Sequence, residues 1–268
     1  MDPVTAAPAP PAEAVAVFGD RLDLARRYAD LLATTGISHG LVGPREAPRL
    51  WERHLVNCAV MGSMLEERSA LADIGSGAGL PGLVLAVLRP DLEVHLIEPL
   101  LRRTTWLESA IAELGLGNVT VHRGRAEEVE LEVPVVTARA VASLDKLIAW
   151  SFPLLVPGGR LLALKGEAAA GELTAAAPLL ERLGVEQSAL HVLGEGEISE
   201  PVRVVEIVRP STLRVDDLHP GAPRGGSDGG RGSAGGGRER GARSGATRDA
   251  RGARQGRRGG LKGRRRSR

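Results

Sequence analysis

Over residues 71–90 the apolar run Leu71-Ala72-Asp73-Ile74-Gly75 passes through Ser76-Gly77-Ala78-Gly79 into the stretch LPGLVLAVLRP. No other feature limits the possible folds as tightly. The first run is short, apolar and ends at a glycine, as a buried strand does. The second has helical length, and Pro81 stands near its start, where a missing N–H costs nothing. A strand joined to a helix by a glycine turn is the opening of a βαβ unit, and such units build parallel sheets.

The rest of the chain repeats that alternation. Strands are expected at 71–75, 93–98, 118–124, 133–139, 160–166, 189–193 and 202–208. Helices are expected at 80–90, 100–116, 144–155 and about 169–183, with Pro157-Gly158-Gly159 as a tight turn before the fifth strand. No helix separates the last two strands, so they are expected as an antiparallel edge hairpin on an otherwise parallel sheet. Upstream, helical spacing appears over 13–35 (Val17, Leu22, Leu24, Tyr28, Leu31, Leu32) and again from Leu50 to Leu65. The reading is an α/β class: a class I, Rossmann-like methyltransferase fold with a mainly parallel seven-stranded sheet, preceded by an N-terminal helical extension.

Charge divides the chain. Residues 219–268 hold 15 Lys and Arg against 3 Asp and Glu, whereas residues 1–218 hold 20 against 30. The tail has 16 glycines and Leu261 as its only large aliphatic residue. Too little apolar surface is present there to offset the entropy of ordering, so residues 211–268 are expected to be a disordered basic tail. The expected organisation is a disordered Ala/Pro-rich leader (1–12), a helical extension (13–68), the catalytic domain (69–210) and that tail. The single cysteine, Cys58, precludes an intramolecular disulfide, and the six histidines have no metal-ligand spacing, so no metal is expected. No apolar run reaches the roughly 18–20 residues a bilayer span needs, so no membrane partner is expected and the chain reads as cytoplasmic.

The glycine loop is the chemical signal. Its spacing, Gly75-x-Gly77-x-Gly79, differs from the G-x-G-x-x-G of dinucleotide folds, and position 80 is Leu80. Asp73 stands inside the preceding strand, where methyltransferases commonly carry an acid facing the cationic end of S-adenosyl-L-methionine. Glu98 ends the second strand, where a carboxylate can accept hydrogen bonds from both ribose hydroxyls. Ala126 and Glu127 follow the third strand, and Arg139 ends the fourth. Ligands of open α/β sheets bind outside the carboxyl ends of strands, where all these residues fall. A surface salt bridge is the plain alternative for Glu127 and Arg139.

Absences bear on the methylated atom. The (Asn/Asp)-Pro-Pro-aromatic motif of adenine-N6 enzymes is missing after strand four, where Thr137-Ala138-Arg139-Ala140-Val141 stands, and Cys58 has no partner that would make it a nucleophile. Guanine N7 carries a free lone pair and no proton, so its methylation needs alignment rather than a general base.

Three segments then resemble one family. DIGSGAGLPG (73–82), ARAVASL (138–144) and LLALKG (161–166) are similar in order and spacing to the RsmG/GidB bacterial 16S ribosomal RNA guanine-N7 methyltransferases, over about residues 15–210. The resemblance implies S-adenosyl-L-methionine contacts at Gly75, Leu80, Ala126, Glu127 and Arg139, with Glu98 at the ribose and Lys165 as a substrate-side or cofactor-mouth cation, a lysine snorkelling from a strand end being the alternative. It also implies that Arg45, Arg53 and His54 contact RNA phosphates, ordinary helix-surface charge being the alternative. The implied partner is 16S ribosomal RNA or the small ribosomal subunit, met by a monomer. This chain departs from the family at Asn57, often Asp, and at Val141, often aromatic. Two other functions share these features: a class I methyltransferase for a small molecule or protein, and a non-catalytic RNA-binding module. An oxidoreductase with a nicotinamide cofactor is disfavoured by the glycine spacing.

Overall fold

Each short apolar run becomes a strand, and the strands pair into one sheet. In a computed structural model the strands are β1 (Ala70–Ile74), β2 (Glu93–Ile97), β3 (Val119–His122), β4 (Val133–Arg139), β5 (Leu155–Lys165), β6 (Ser188–Leu193) and β7 (Val202–Val208). The structure describes residues 6–213 and Leu218. The expectation of a disordered tail lies outside the described residues, apart from 211–213 and Leu218.

The strand order is β3-β2-β1-β4-β5-β7-β6. The first five strands pair in parallel, and β7 runs antiparallel between β5 and β6. The seven strands and the edge hairpin agree with the sequence pattern. The largest strand-boundary difference is at β5, which starts at Leu155, ahead of the expected turn and within the helix expected at 144–155. Its pairing with β4 slips where Pro157, Gly158 and Gly159 pass, between Val133 and Val135. Proline cannot donate to the ladder, so the irregularity falls there.

Side chains alternate between two cores. Leu71, Val94, Leu96, Val135, Leu162 and Val204 face the core shared with the N-terminal extension. Ala72, Ile74, Ile97, Val136 and Leu161 face the opposite core. The first face is covered by the extension, by α4 (Gly82–Leu88) and by α5 (Leu101–Leu114). The second is covered by α6 (Leu144–Ser151) and α7 (Ala169–Arg182).

The extension is more broken than its periodicity implies. One helix over 13–35 becomes α1 (Ala12–Phe18), a 3₁₀ turn, α2 (Leu22–Leu31) and a π-helical turn at Leu32–Gly36. Gly19, with φ +48°, ends α1. The second helix opens as a wide π-helical turn, Leu50–Val56, before the single turn α3 (Asn57–Ala59) and a 3₁₀ turn at Val60–Met64. π turns of this kind often carry functional side chains, and this one carries Arg53 and His54.

The leader needs correction where it is described. Ala7 donates its N–H to Asp30 Oδ1 at 2.8 Å, and the Trp51 indole donates to the Pro8 carbonyl at 2.7 Å. Trp51 is fully buried and meets Phe18 edge-on at 6.2 Å, so the chain passing over it has apolar surface and hydrogen bonds to hold it. Residues 1–5 lie outside the described residues. The expected boundary at 68/69 does not separate two cores: described residues on both sides of it, such as Leu55, Met61, Leu71 and Leu85, share one.

Candidate active site

The carboxyl ends of β1, β2 and β4 and the loop after β3 enclose a cleft of about 510 Å³. That size suits a small organic ligand. Its lining includes Gly75, Glu98, Ala126, Glu127 and Arg139, five of the residues expected from the sequence. Apolar walls come from Ile74, Ile97, Pro99, Leu100, Val141 and Trp150. Arg103 from α5 and Arg125 add charge.

Glu98 is the buried acid of the cleft, 1% exposed. Its Oε1 accepts the Leu100 N–H at 3.0 Å, and its Oε2 accepts the Gly77 N–H at 3.1 Å and an Arg103 Nη1–H at 3.3 Å. A carboxylate offers about four lone-pair sites, so one remains for a further donor. The glycine loop and the end of β2 are thereby tied to one carboxylate.

Gly75 fits the cleft because it has no side chain. Its φ is +67°, and a Cβ there would fall 2.9 Å from Val141 Cγ2. Beyond Arg139 the chain turns at Ala140, whose φ of +55° is uncommon for a residue with a Cβ. This turn carries Val141 back over Gly75.

The remaining expected donor-site residues shape the loop from behind. Asp73 was expected to face the ligand and does not: it is fully buried on the face covered by the extension and is absent from the cleft lining. Its Oδ2 accepts the Gly82 N–H at 3.0 Å, while Oδ1 has no partner. Burial pushes this carboxyl up to about 7, against the opposing pull of the Gly82 hydrogen bond. The reason is the strand pleat, which points residue 73 to the same side as Leu71. Gly77, Gly79 and Leu80 also stay out of the lining. Gly77 acts through its N–H to Glu98, and Leu80 packs against the core.

The extension reaches the cleft through Arg139. One Arg139 Nη2–H meets the Arg53 carbonyl at 2.8 Å, and Nη2 lies 2.8 Å from His54 Nδ1. Its Nη1–H meets Cys58 Sγ at 3.2 Å. His54 Nε2 in turn lies 3.0 Å from Glu46 Oε2. Tyr28 donates its buried hydroxyl to the Ala78 carbonyl at 2.6 Å, linking α2 to the glycine loop.

Of the residues expected to meet RNA, Arg45 and Arg53 are exposed. His54 is turned inward to Arg139 and Glu46. Lys165 is also turned inward: its ammonium donates to the Ala142 carbonyl at 2.8 Å and to Glu172 Oε2 at 2.7 Å, and its side chain is 8% exposed. Strand-end position suggested a free cation; the carboxylate one helical turn into α7 captures it. Arg103, Arg125 and Trp150 were not singled out from the sequence. They come from a helix face, a loop and a second helix, with no motif to mark them. Among the described residues no helix is long and apolar enough to cross a membrane, and no group of three His, Cys, Asp or Glu side chains is arranged to hold a metal ion.

A family model described as GidB, rRNA small subunit methyltransferase G, matches residues 21–200. The ribosomal RNA small subunit methyltransferase G of Streptomyces coelicolor is 54% identical over 203 residues, covering 75% of this chain and 85% of the relative. The protein of the same name from Kineococcus radiotolerans is 55% identical over 222 residues, covering 80% and 87%. That of Renibacterium salmoninarum is 53% identical over 201 residues, covering 74% and 94%. The match runs from the N-terminal helices through the cleft to the edge hairpin, and the chain belongs to the GidB family, rRNA small subunit methyltransferase G.

Proposed function

We propose that this chain is an S-adenosyl-L-methionine-dependent methyltransferase that methylates N7 of a guanine in 16S ribosomal RNA of the small subunit. One observation carries the reading: a buried carboxylate, Glu98, and a side-chain-free backbone turn, Gly75, both line one cleft at the carboxyl ends of the parallel strands. The family match supports the same reaction.

The residues present fit the donor. Glu98 keeps an acceptor site for a ribose hydroxyl. Ile97, Pro99 and Leu100 offer an apolar surface for a purine ring. Any side chain at Gly75 would intrude on the turn, while Glu127 and Arg139 provide charge at the rim. When bound, S-adenosylmethionine supplies an electrophilic methyl carbon on a sulfonium. The chain's own task is then to exclude water, hold the donor and align the guanine. The absence of a proton on N7 makes a general base unnecessary, so positioning can supply the rate.

Arg45 and Arg53, exposed beside Glu46 and the Arg139 cluster, are proposed as phosphate contacts, and Lys165 as the anchor that holds the Ala140–Ala142 turn. The test is to incubate the intact chain with labelled S-adenosylmethionine and small subunits lacking the modification. Borohydride and aniline cleavage then maps N7-methylguanosine. Cleavage at one guanine is expected. Label confined to protein or metabolite would support the small-molecule or protein methyltransferase instead.

A further inference from the structure

Arg139 lines the cleft, yet its guanidinium is held almost entirely by the extension. Nη2 is bracketed by the Arg53 carbonyl and His54 Nδ1, both at 2.8 Å, and Nη1 by Cys58 Sγ at 3.2 Å. Of the five N–H donors of an arginine, two are left without a partner among the described residues. Which way they point depends on the three contacts already made.

We propose that Glu46 and His54 are positioning residues for Arg139: the Glu46 carboxylate fixes the His54 ring, and the ring fixes the guanidinium of Arg139, a residue that lines the methyl-donor cleft. The proposal rests on the donor-site reading of that cleft and adds a role for Glu46 and a changed role for His54.

Arginine can only donate, so His54 Nδ1 is the acceptor in that contact. A neutral ring with an accepting Nδ1 carries its proton on Nε2, which points at Glu46 Oε2, 3.0 Å away. Burial, and next the Arg139 charge, pull the His54 pKa down to about 4, against the upward pull of Glu46. The ring is therefore neutral at pH 7 in the one tautomer that serves both neighbours. Glu46 also reaches Arg53 Nη1 at 3.5 Å, the residue whose carbonyl takes the second Arg139 contact. With its side chain only 13% exposed, the His54 ring has little surface left for a phosphate.

The test uses the full chain, with S-adenosylhomocysteine, the demethylated donor, as calorimetric probe. Glu46→Ala is expected to weaken its binding about fivefold and His54→Leu about tenfold (~1.4 kcal/mol). The double variant should be no weaker than His54→Leu, because both act through one contact. His54→Asn, whose Oδ1 can stand near the Nδ1 position, should recover most of the loss. His54→Gln, with its polar atoms at the Nε2 position, should not. Imidazole ¹⁵N shifts should show Nε2 protonated in the intact chain and that preference lost in Glu46→Ala. Independent losses that multiply in the double variant overturn the relay, as do equal effects of Asn and Gln. Unchanged probe affinity in the single variants with a raised KM for RNA also overturns it, in favour of direct RNA contact. The Asn and Gln variants carry the comparison if His54→Leu loses its cooperative melting. No probe binding by the intact chain overturns the donor-site reading itself, a result distinct from all of these.

Discussion

At position 75 a Cβ would lie 2.9 Å from one Val141 methyl and 3.1 Å from the other, on a backbone with φ +67°. Gly75→Ala therefore forces both a strained backbone and a shifted Val141. Binding of S-adenosylhomocysteine should fall at least tenfold by calorimetry, with a melting loss of about 1–3 kcal/mol. Glu98→Ala leaves the Gly77 and Leu100 N–H groups and Arg103 without their acceptor. The expected cost is about 1–3 kcal/mol for the orphaned donors, read by denaturant unfolding, together with loss of donor binding. Sequence made Glu98, Gly75, Ala126, Glu127 and Arg139 visible because a strand end or a glycine spacing marks each. It could not show Arg103 and Trp150, which enter the cleft only through the rotation of α5 and α6 about their axes. Asp73 was misplaced for a related reason: a strand pattern says that residues alternate, without saying which face looks at a ligand.

Elements carry their own predictions. α4 has only seven residues, and Asp73 takes the N–H of its first residue, Gly82. With its carboxyl pushed up to about 7, the folded chain keeps a proton that the unfolded chain releases near pH 4. With respect to this group, stability is greatest below about pH 4 and declines as pH rises to about 7, by at most about 1.4 kcal/mol per pH unit. Asp73→Asn removes that slope, so the variant should gain on the parent between pH 5 and 7.5 in urea unfolding. Parallel curves over this range would refute the assignment. Sheet topology was legible because apolar runs, glycine turns and helical spacing all agreed on βαβ units. The broken extension was less so. Apolar periodicity survives across Gly19 and through a π turn, since a local change in winding barely alters which residues are buried.

Over the whole molecule, opposite charges are separated along the chain. Fifteen Lys and Arg lie in residues 219–268, whereas the preceding 218 residues are net acidic. Deleting 219–268 should weaken RNA binding at low salt and flatten the dependence of log affinity on log salt, because fewer counterions are released. S-adenosylhomocysteine affinity and the methylated position should stay as they are. Filter binding at two or more salt concentrations, with calorimetry on the same deletion, checks both.

The phenol of Tyr28, 2.6 Å from the Ala78 carbonyl and buried, makes the extension a brace behind the glycine loop rather than an attachment to the sheet. Anyone wishing to borrow this catalytic sheet for another protein would have to carry the upstream helices along. Cut free at residue 69, the side of α4 that lies against Gly62, with Leu85 and Leu88, would meet water, and the glycine loop would lose its brace. Evolution can vary the outward side of those helices freely, but it inherits their inward side together with the chemistry.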